Sequence, residues 1–98
     1  MHNQKIKRIG FILVDGFSLM SLSSAVEPLR AANHLSGDTL FEITYIPASG
    51  TRATSSAGII SEGRPIEDNN YDFDLVFVVA AGSPITVSYT HLTLPTTD

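Results

Sequence analysis

Asp15, Gly16 and Phe17 are the first candidates for a functional role, because they follow an apolar run without polar alternation. Such a run, which predicts a first strand over residues 7–14, is typical of a strand buried on both faces in the middle of a parallel sheet. Ligands bind in such sheets at the carboxyl ends of the strands. We therefore expect these three residues on the floor of a ligand-binding site. The alternative is a plain strand-ending turn with Phe17 packed in the core.

Three further residues complete the predicted ligand-binding set. Ser21 lies on the first turn of a predicted helix, where its hydroxyl could hydrogen-bond a ligand; the alternative is an ordinary helix serine. Gly82 and Ser83 follow a second apolar run and could present backbone N–H groups to a carboxylate or oxyanion. Glu27 would need a buried partner to act as a general acid or base. Its spacing from Ser24 instead predicts a capping box.

The composition argues against several other kinds of chemistry. The chain has no cysteine, which removes disulfides, thiolate metal sites and a cysteine nucleophile from these 98 residues. His2, His34 and His91 do not have the spacing of a metal site, so no cofactor or metal is expected. The net charge of −4 argues against nucleic-acid or anionic-membrane binding. Without a membrane span or a signal-like start, a cytoplasmic location is expected.

A helix is predicted directly after the candidate site. Apolar residues recur at helical spacing over residues 18–35, with Ser18 as the N-cap and Gly37 as a left-handed C-cap. Pro28 lies inside this pattern and removes one backbone hydrogen bond. The pattern therefore predicts either one kinked helix or a short turn followed by a helix from residue 24. The uninterrupted apolar stripe favours one kinked helix.

The other strands define where the candidate site should open. Residues 41–48 alternate in polarity, which predicts a strand nearer an edge, parallel to the first. Residues 52–61 predict a small hairpin turned at 57–58. The run 74–79 should lie beside the first strand, on the side opposite to the second. The chain order then reverses at the first strand, and a crevice opens there.

The length of 98 residues allows one small domain. Residues 86–98 have no clean helical or strand period, and no crossover helix follows the run 74–79. This end of the chain resembles translated sequencing-adapter sequence. We therefore expect residues 1–85 to be part of a domain and residues 86–98 to be a non-native tail. The alternative is a genuine Thr-rich edge strand.

Several segments resemble the start of AraC-family transcriptional regulators, in the branch whose N-terminal half is a class I glutamine-amidotransferase-like domain of the PfpI (ThiJ) type. They are residues 8–22, residues 24–33, and the run 74–79 with Gly82 and Ser83. The sequence Glu-Pro-Leu-Arg-Ala-Ala-Asn at residues 27–33 is the most specific part. The resemblance covers residues 7–83, which correspond to the first part of a longer domain.

This resemblance implies a flavodoxin-like α/β fold, a three-layer sandwich with a parallel sheet, of which the chain is the first half. Enzymes of the superfamily combine a later cysteine nucleophile, an acidic residue in the helix after the first strand, and backbone N–H groups at a glycine turn. Here the acidic position falls at Ser21, the glycine pair is Ala81 and Gly82, and there is no cysteine. The resemblance therefore implies no enzyme activity for this chain.

The leading hypothesis is a truncated sensor domain of an AraC-type regulator that binds a small polar metabolite, such as an amino acid or a quaternary amine. DNA would bind only through a C-terminal helix-turn-helix region that is missing here. No membrane partner is expected, and the full-length protein could form a homodimer. One alternative is the non-catalytic front half of a PfpI-type cysteine hydrolase or amidotransferase. Another is a fragment without function, aggregating through an exposed strand flank.

Overall fold

Strands from the two apolar runs lie side by side in the sheet. The computed structural model describes residues 5–67, 72–81 and 85–87 of the chain. In chain order the elements are β1 (Lys7–Leu13), α1 (Leu19–Ser36), β2 (Phe41–Pro47), β3 (Arg52–Thr54), β4 (Ile60–Glu62), β5 (Leu75–Val79) and β6 (Ile85–Val87).

β1 lies between β2 and β5 and runs parallel to both. Ile9 is opposite Ile43 on one side and Leu75 on the other. The strand order is β2-β1-β5-β6, so the chain order reverses at β1. The predicted α/β fold with a parallel sheet is therefore confirmed, and β2 is an edge strand of the described sheet.

β6 departs from the parallel pattern. It pairs antiparallel with β5, and Val87 is opposite Val76. Residues 86 and 87 of the predicted tail therefore pair with the sheet, as an edge strand would. Residues 88–98 lie outside the described residues. The domain boundary at residue 85 stays a prediction.

Both faces of β1 are covered by apolar side chains. On the face towards α1, a core cluster of side chains at most 3% exposed consists of Ile9, Phe11, Leu13, Phe17, Ala53 and Val79. On the other face, Ile12 packs with Ile46, Phe73 and Val76. Phe73 lies so close to Gly10 that a Cβ there would be 3.0 Å from its ring. Within the described residues, the second face is covered by segments around Phe73 and Ile66, and not by a helix.

Three aromatic rings form a row across the sheet beneath α1. Phe11 stacks on Phe77 with ring centroids 4.9 Å apart, and on Tyr45 with centroids 6.0 Å apart. The strand registers place these residues opposite one another on β2, β1 and β5. Such aromatic pairs contribute about 0.5–1.5 kcal/mol beyond their buried area. Burial raises the pKa of the Tyr45 hydroxyl, and the negative charge of Glu27 raises it further.

α1 is one helix whose caps are those that the sequence predicts. The Oγ of Ser18 accepts a hydrogen bond from the backbone N–H of Ser21 at 3.1 Å. Gly37 has a φ of 77°, and its N–H donates to the carbonyl oxygen of Asn33. The helix continues through Pro28. The alternative of a turn followed by a shorter helix is therefore wrong.

The predicted capping box at Ser24 and Glu27 is also wrong. Ser24 lies inside α1, and its Oγ donates to the carbonyl oxygen of Met20 at 2.9 Å. Glu27 forms an exposed ion pair with Arg30, with 2.7 Å between Oε1 and Nη2. Because Ser18 already caps the helix, the N–H groups near Ser24 are engaged in the helical ladder and need no second cap.

Replacing Ser18 with alanine should lower the free energy of unfolding by about 1 kcal/mol, because the N–H of Ser21 loses its acceptor. Urea denaturation of the variant and the wild type measures the difference. Ser23→Ala is the matched control, since the Ser23 hydroxyl donates within the helix to Leu19 and alanine favours helix formation. Wild-type stability of Ser18→Ala would contradict its role as the cap.

β3 and β4 form the predicted antiparallel hairpin, with Thr54 opposite Ile60. The buried Ser55 closes its turn, because its Oγ accepts hydrogen bonds from the N–H groups of Ala57 and Ile59 at 3.2 and 3.0 Å. The hairpin is thus fixed by a side chain as well as by its backbone.

Gly63 follows the hairpin and lies directly against β2. A Cβ at this position would overlap the carbonyl oxygen of Tyr45 and lie 3.0 Å from Cδ of Pro47. The N–H of Gly63 donates to the carbonyl oxygen of Thr51 at 3.0 Å. This close approach of two backbone segments leaves room for glycine only.

Candidate ligand-binding site

The loop between β1 and α1 is anchored to the end of β5. The N–H of Val14 donates to the carbonyl oxygen of Val79 at 3.0 Å, and the N–H of Ser18 donates to that of Ala80 at 2.9 Å. These bonds continue the contact between the two strands beyond their carboxyl ends. The loop therefore lies at the predicted reversal point of the sheet.

The same loop is held from its other side by the hairpin. The N–H of Gly16 donates to the carbonyl oxygen of Thr54 at 2.7 Å, and the N–H of Thr54 donates to Oδ1 of Asp15 at 3.0 Å. Gly16 has a φ of 85°, a backbone conformation that residues other than glycine rarely adopt. One residue of β3 thus fixes both the carboxylate and the turn.

The Asp15 carboxylate remains exposed at this position. Its Oδ1 is bonded to Thr54, whereas its Oδ2 has no hydrogen bond within the part of the chain that the structure describes. The side chain is therefore oriented by the protein and still has an oxygen that a ligand could contact.

Phe17 is part of the core. Its side chain is 0% exposed and packs with Leu13, Ala53 and Val79. Its backbone forms a bridge with Ser55, and its carbonyl oxygen accepts a hydrogen bond from Ser56 at 2.9 Å. The side chain therefore agrees with the alternative prediction, in which Phe17 packs in the core after a strand-ending turn. A ligand contact by Phe17 stays a prediction, and it could involve only the backbone.

Ser21 lies on the first turn of α1, as predicted, and is half-buried. The structure therefore brings four of the predicted residues to one end of the sheet: Asp15, Gly16, Phe17 and Ser21. Gly82 and Ser83 lie outside the described residues. Ala81, directly before them, is exposed and follows Ala80, which contacts the loop.

Thr54 is a site-shaping residue that the sequence does not reveal. It lies 39 positions from Asp15, and no local pattern links a short hairpin strand to the end of β1.

Two surface clefts of the described structure lie at the opposite, amino-terminal edge of the sheet. One has a volume of about 470 Å³ and surrounds the end of α1, lined by Arg30, Asn33, His34, Gly37, Asp38 and Thr39. The other has a volume of about 250 Å³ and is lined by Lys5, Ile6, Arg8, Asp72, Phe73 and Asp74. Neither includes a predicted site residue, so the ligand site stays a prediction.

The described residues contain no group of three or more His, Cys, Asp or Glu side chains that could hold a metal ion. His34 lies in the last turn of α1. In the same described part, α1 does not combine the length and apolar character needed to cross a bilayer.

Comparison with curated proteins finds helix-turn-helix transcriptional regulators. The chain is 42% identical over 82 residues to the HTH-type transcriptional regulator GlxA of Rhizobium meliloti. It is 38% identical over 92 residues to GbdR of Pseudomonas aeruginosa, and 39% identical over 79 residues to CdhR of the same species. These matches cover 84%, 93% and 76% of this chain, and 25%, 25% and 22% of the relatives. The chain thus spans about a quarter of their length.

A solved structure agrees with the sequence matches. The crystal structure of an AraC family transcriptional regulator from Pseudomonas putida superposes with a TM-score of 0.65 and 28% identity. The match covers 76% of this chain and 40% of that chain. No protein-family model matches the chain.

The chain has an α/β fold with a parallel sheet, and the loop after β1 lies where the strand order of that sheet reverses. Its homologues are AraC-type helix-turn-helix transcriptional regulators, and its fold fits the N-terminal ligand-binding domain of that family.

Proposed function

We propose that the chain contributes the first part of a ligand-sensing domain in an AraC-type transcriptional regulator. In this proposal a small polar metabolite binds at the carboxyl ends of β1 and β5. The observation that supports it best is the double anchoring of the loop after β1, to Ala80 on one side and Thr54 on the other. That anchoring creates a fixed polar surface at the reversal point of the sheet, where ligands of such folds bind.

The proposed contacts use residues of the loop after β1, of α1 and of the segment after β5. The exposed Oδ2 of Asp15 would accept a hydrogen bond or a positive charge from the ligand, because Thr54 already orients the carboxylate. Ser21 would contribute its hydroxyl from the first turn of α1. Gly82 and Ser83, which follow the loop-contacting Ala80, would contribute backbone N–H groups.

The regulator interpretation is favoured over an enzyme. The matched relatives are transcriptional regulators, and a cysteine nucleophile would have to come from outside these 98 residues. DNA binding, by the helix-turn-helix region of a full-length protein, and a homodimer of that protein are part of the same proposal.

A binding experiment on the 98-residue chain tests the site. Isotope-labelled protein is titrated with free amino acids and with tetramethylammonium, and amide chemical shifts are followed by NMR. We expect at least one probe to shift the amides of Gly16 and Ser21. Asp15→Asn should weaken the binding of that probe about tenfold, equivalent to about 1.4 kcal/mol. The substituted side-chain amide keeps the Oδ1 acceptor for Thr54 and loses the negative charge.

Asp38→Asn is the matched control, since Asp38 is an exposed carboxylate at the opposite edge of the sheet. It should leave binding unchanged. If a probe bound equally well to wild-type and Asp15→Asn protein, the assignment of Asp15 would be wrong. If no probe moved the amides of this loop, the proposed site would be refuted for these ligand classes.

A further inference from the structure

The outer edge of β2, on the side away from β1, carries the backbone groups of its odd-numbered residues. The N–H of Ala48 donates to the carbonyl oxygen of Leu13 at 2.8 Å, and the N–H of Lys7 donates to that of Leu40 at 3.0 Å. Even-numbered residues therefore bond towards β1, because backbone groups alternate in direction along a strand. The residues directed outward are Phe41, Ile43, Tyr45 and Pro47.

Asn33 occupies this outer edge at Phe41. Its Oδ1 accepts hydrogen bonds from the N–H groups of Phe41 and Leu40 at 2.9 and 2.8 Å, and its Nδ2 donates to the carbonyl oxygen of Phe41 at 2.9 Å. A single side-chain amide thus makes both bonds that a neighbouring strand would make with Phe41. Gly37, whose N–H donates to the carbonyl oxygen of Asn33, helps to hold that residue in place.

Two other residues close the far end of this edge. Pro47 has no N–H to offer, which is a common way of protecting an edge strand. Gly63 lies against the carbonyl oxygen of Tyr45. Ile43 is then the outward residue whose N–H and C=O both lack a partner within the described residues.

We propose that Asn33 blocks the outer edge of β2 against strand addition by a second copy of this chain. An unpaired edge strand is a template for another strand. Without the Asn33 amide, Phe41 and Ile43 would offer two successive outward residues, both of types that favour β structure. The outward backbone groups of Phe41 and Ile43 can bond to the same groups on a second copy that runs antiparallel. The two β2 edges would then pair about a two-fold axis.

Self-association of the 98-residue chain tests this role. Sedimentation velocity should show a higher weight-average mass for Asn33→Ala than for wild type at equal concentration, approaching about a two-fold increase for a two-fold dimer. Ser23→Ala is the matched control, because the Ser23 hydroxyl bonds to Leu19 within α1 and not to Asn33 or β2. It should keep the wild-type mass. A wild-type mass for folded Asn33→Ala would overturn the proposal.

A cysteine pair locates the contact, since the chain has no cysteine of its own. Glu42→Cys, at the exposed position of β2, should form intermolecular disulfides in the Asn33→Ala background and few in the wild-type background. Ser23→Cys, on the exposed face of α1, should form few in either. Equal crosslinking of the two cysteines would refute pairing through β2.

Circular dichroism tests whether each variant is folded. If Asn33→Ala is not folded, Asn33→Leu decides, because leucine favours the helix and offers neither the acceptor nor the donor that Phe41 uses. Increased mass with Glu42→Cys crosslinking then supports the proposal, and a wild-type mass overturns it.

Discussion

Phe17→Ala should lower the free energy of unfolding by about 3–5 kcal/mol, the range found for removal of buried aromatic side chains. Phe17 is 0% exposed and belongs to the cluster that joins β1, the hairpin and β5. Its removal would leave a cavity at the junction of all three. Because small domains are stable by only about 5–15 kcal/mol, much of the population could unfold. Urea denaturation followed by circular dichroism measures the loss.

The outcome also separates the two interpretations of Phe17. Leu35→Ala is the control, since Leu35 is 82% exposed and should change stability by less than about 0.5 kcal/mol. A similarly small loss for Phe17→Ala would mean that the ring does not support the core. A loss in the expected range assigns the ring to the fold and leaves only its backbone for a ligand.

Gly63→Ala should cost about 2–3 kcal/mol, at the upper end of the usual penalty for overpacking. The added Cβ would overlap the carbonyl oxygen of Tyr45, and a backbone atom cannot rotate away as a side chain can. Either the hairpin or β2 must therefore shift. Thermal and urea denaturation of the variant measure the loss.

Gly58→Ala separates crowding from backbone strain in this prediction. Gly58 has a φ of 86° and open space around its Cβ position, so alanine should cost about 1–2 kcal/mol from conformation alone. Hydrogen exchange of the β2 amides should accelerate in Gly63→Ala and not in Gly58→Ala. Wild-type stability of Gly63→Ala would show that the segments are farther apart than described.

The strands and the helix could be predicted from the sequence because their signals are local. The apolar runs gave β1 and β5, and helical spacing with Ser18 and Gly37 at its ends gave α1. The capping box failed because the spacing of Ser24 and Glu27 is the same inside a helix as at its start. The sequence pattern could not show that the cap at Ser18 made a second cap unnecessary.

The details of the candidate site depend on contacts between distant residues. Asp15 was predicted from its position after a buried strand, but its orientation is set by Thr54, 39 positions away. Asn33 lies in the segment that most resembles AraC-type regulators, yet its bonds to Phe41 depend on how the chain turns after α1. Periodicity predicts which residues form an element and not which groups meet between elements.

The central place of β1 has a consequence for the order in which the protein folds. Its contacts with β2 and α1 involve chain segments that are synthesised soon after it, whereas its bonds to the start of β5 join residues 66 positions apart. Contacts between distant segments form slowly, because a long loop must be closed first. We therefore expect the pairing of β1 with β5 to form late in folding, after the pairing of β1 with β2. The loop of Asp15 and Gly16 would then become fixed only when Val79 and Ala80 arrive.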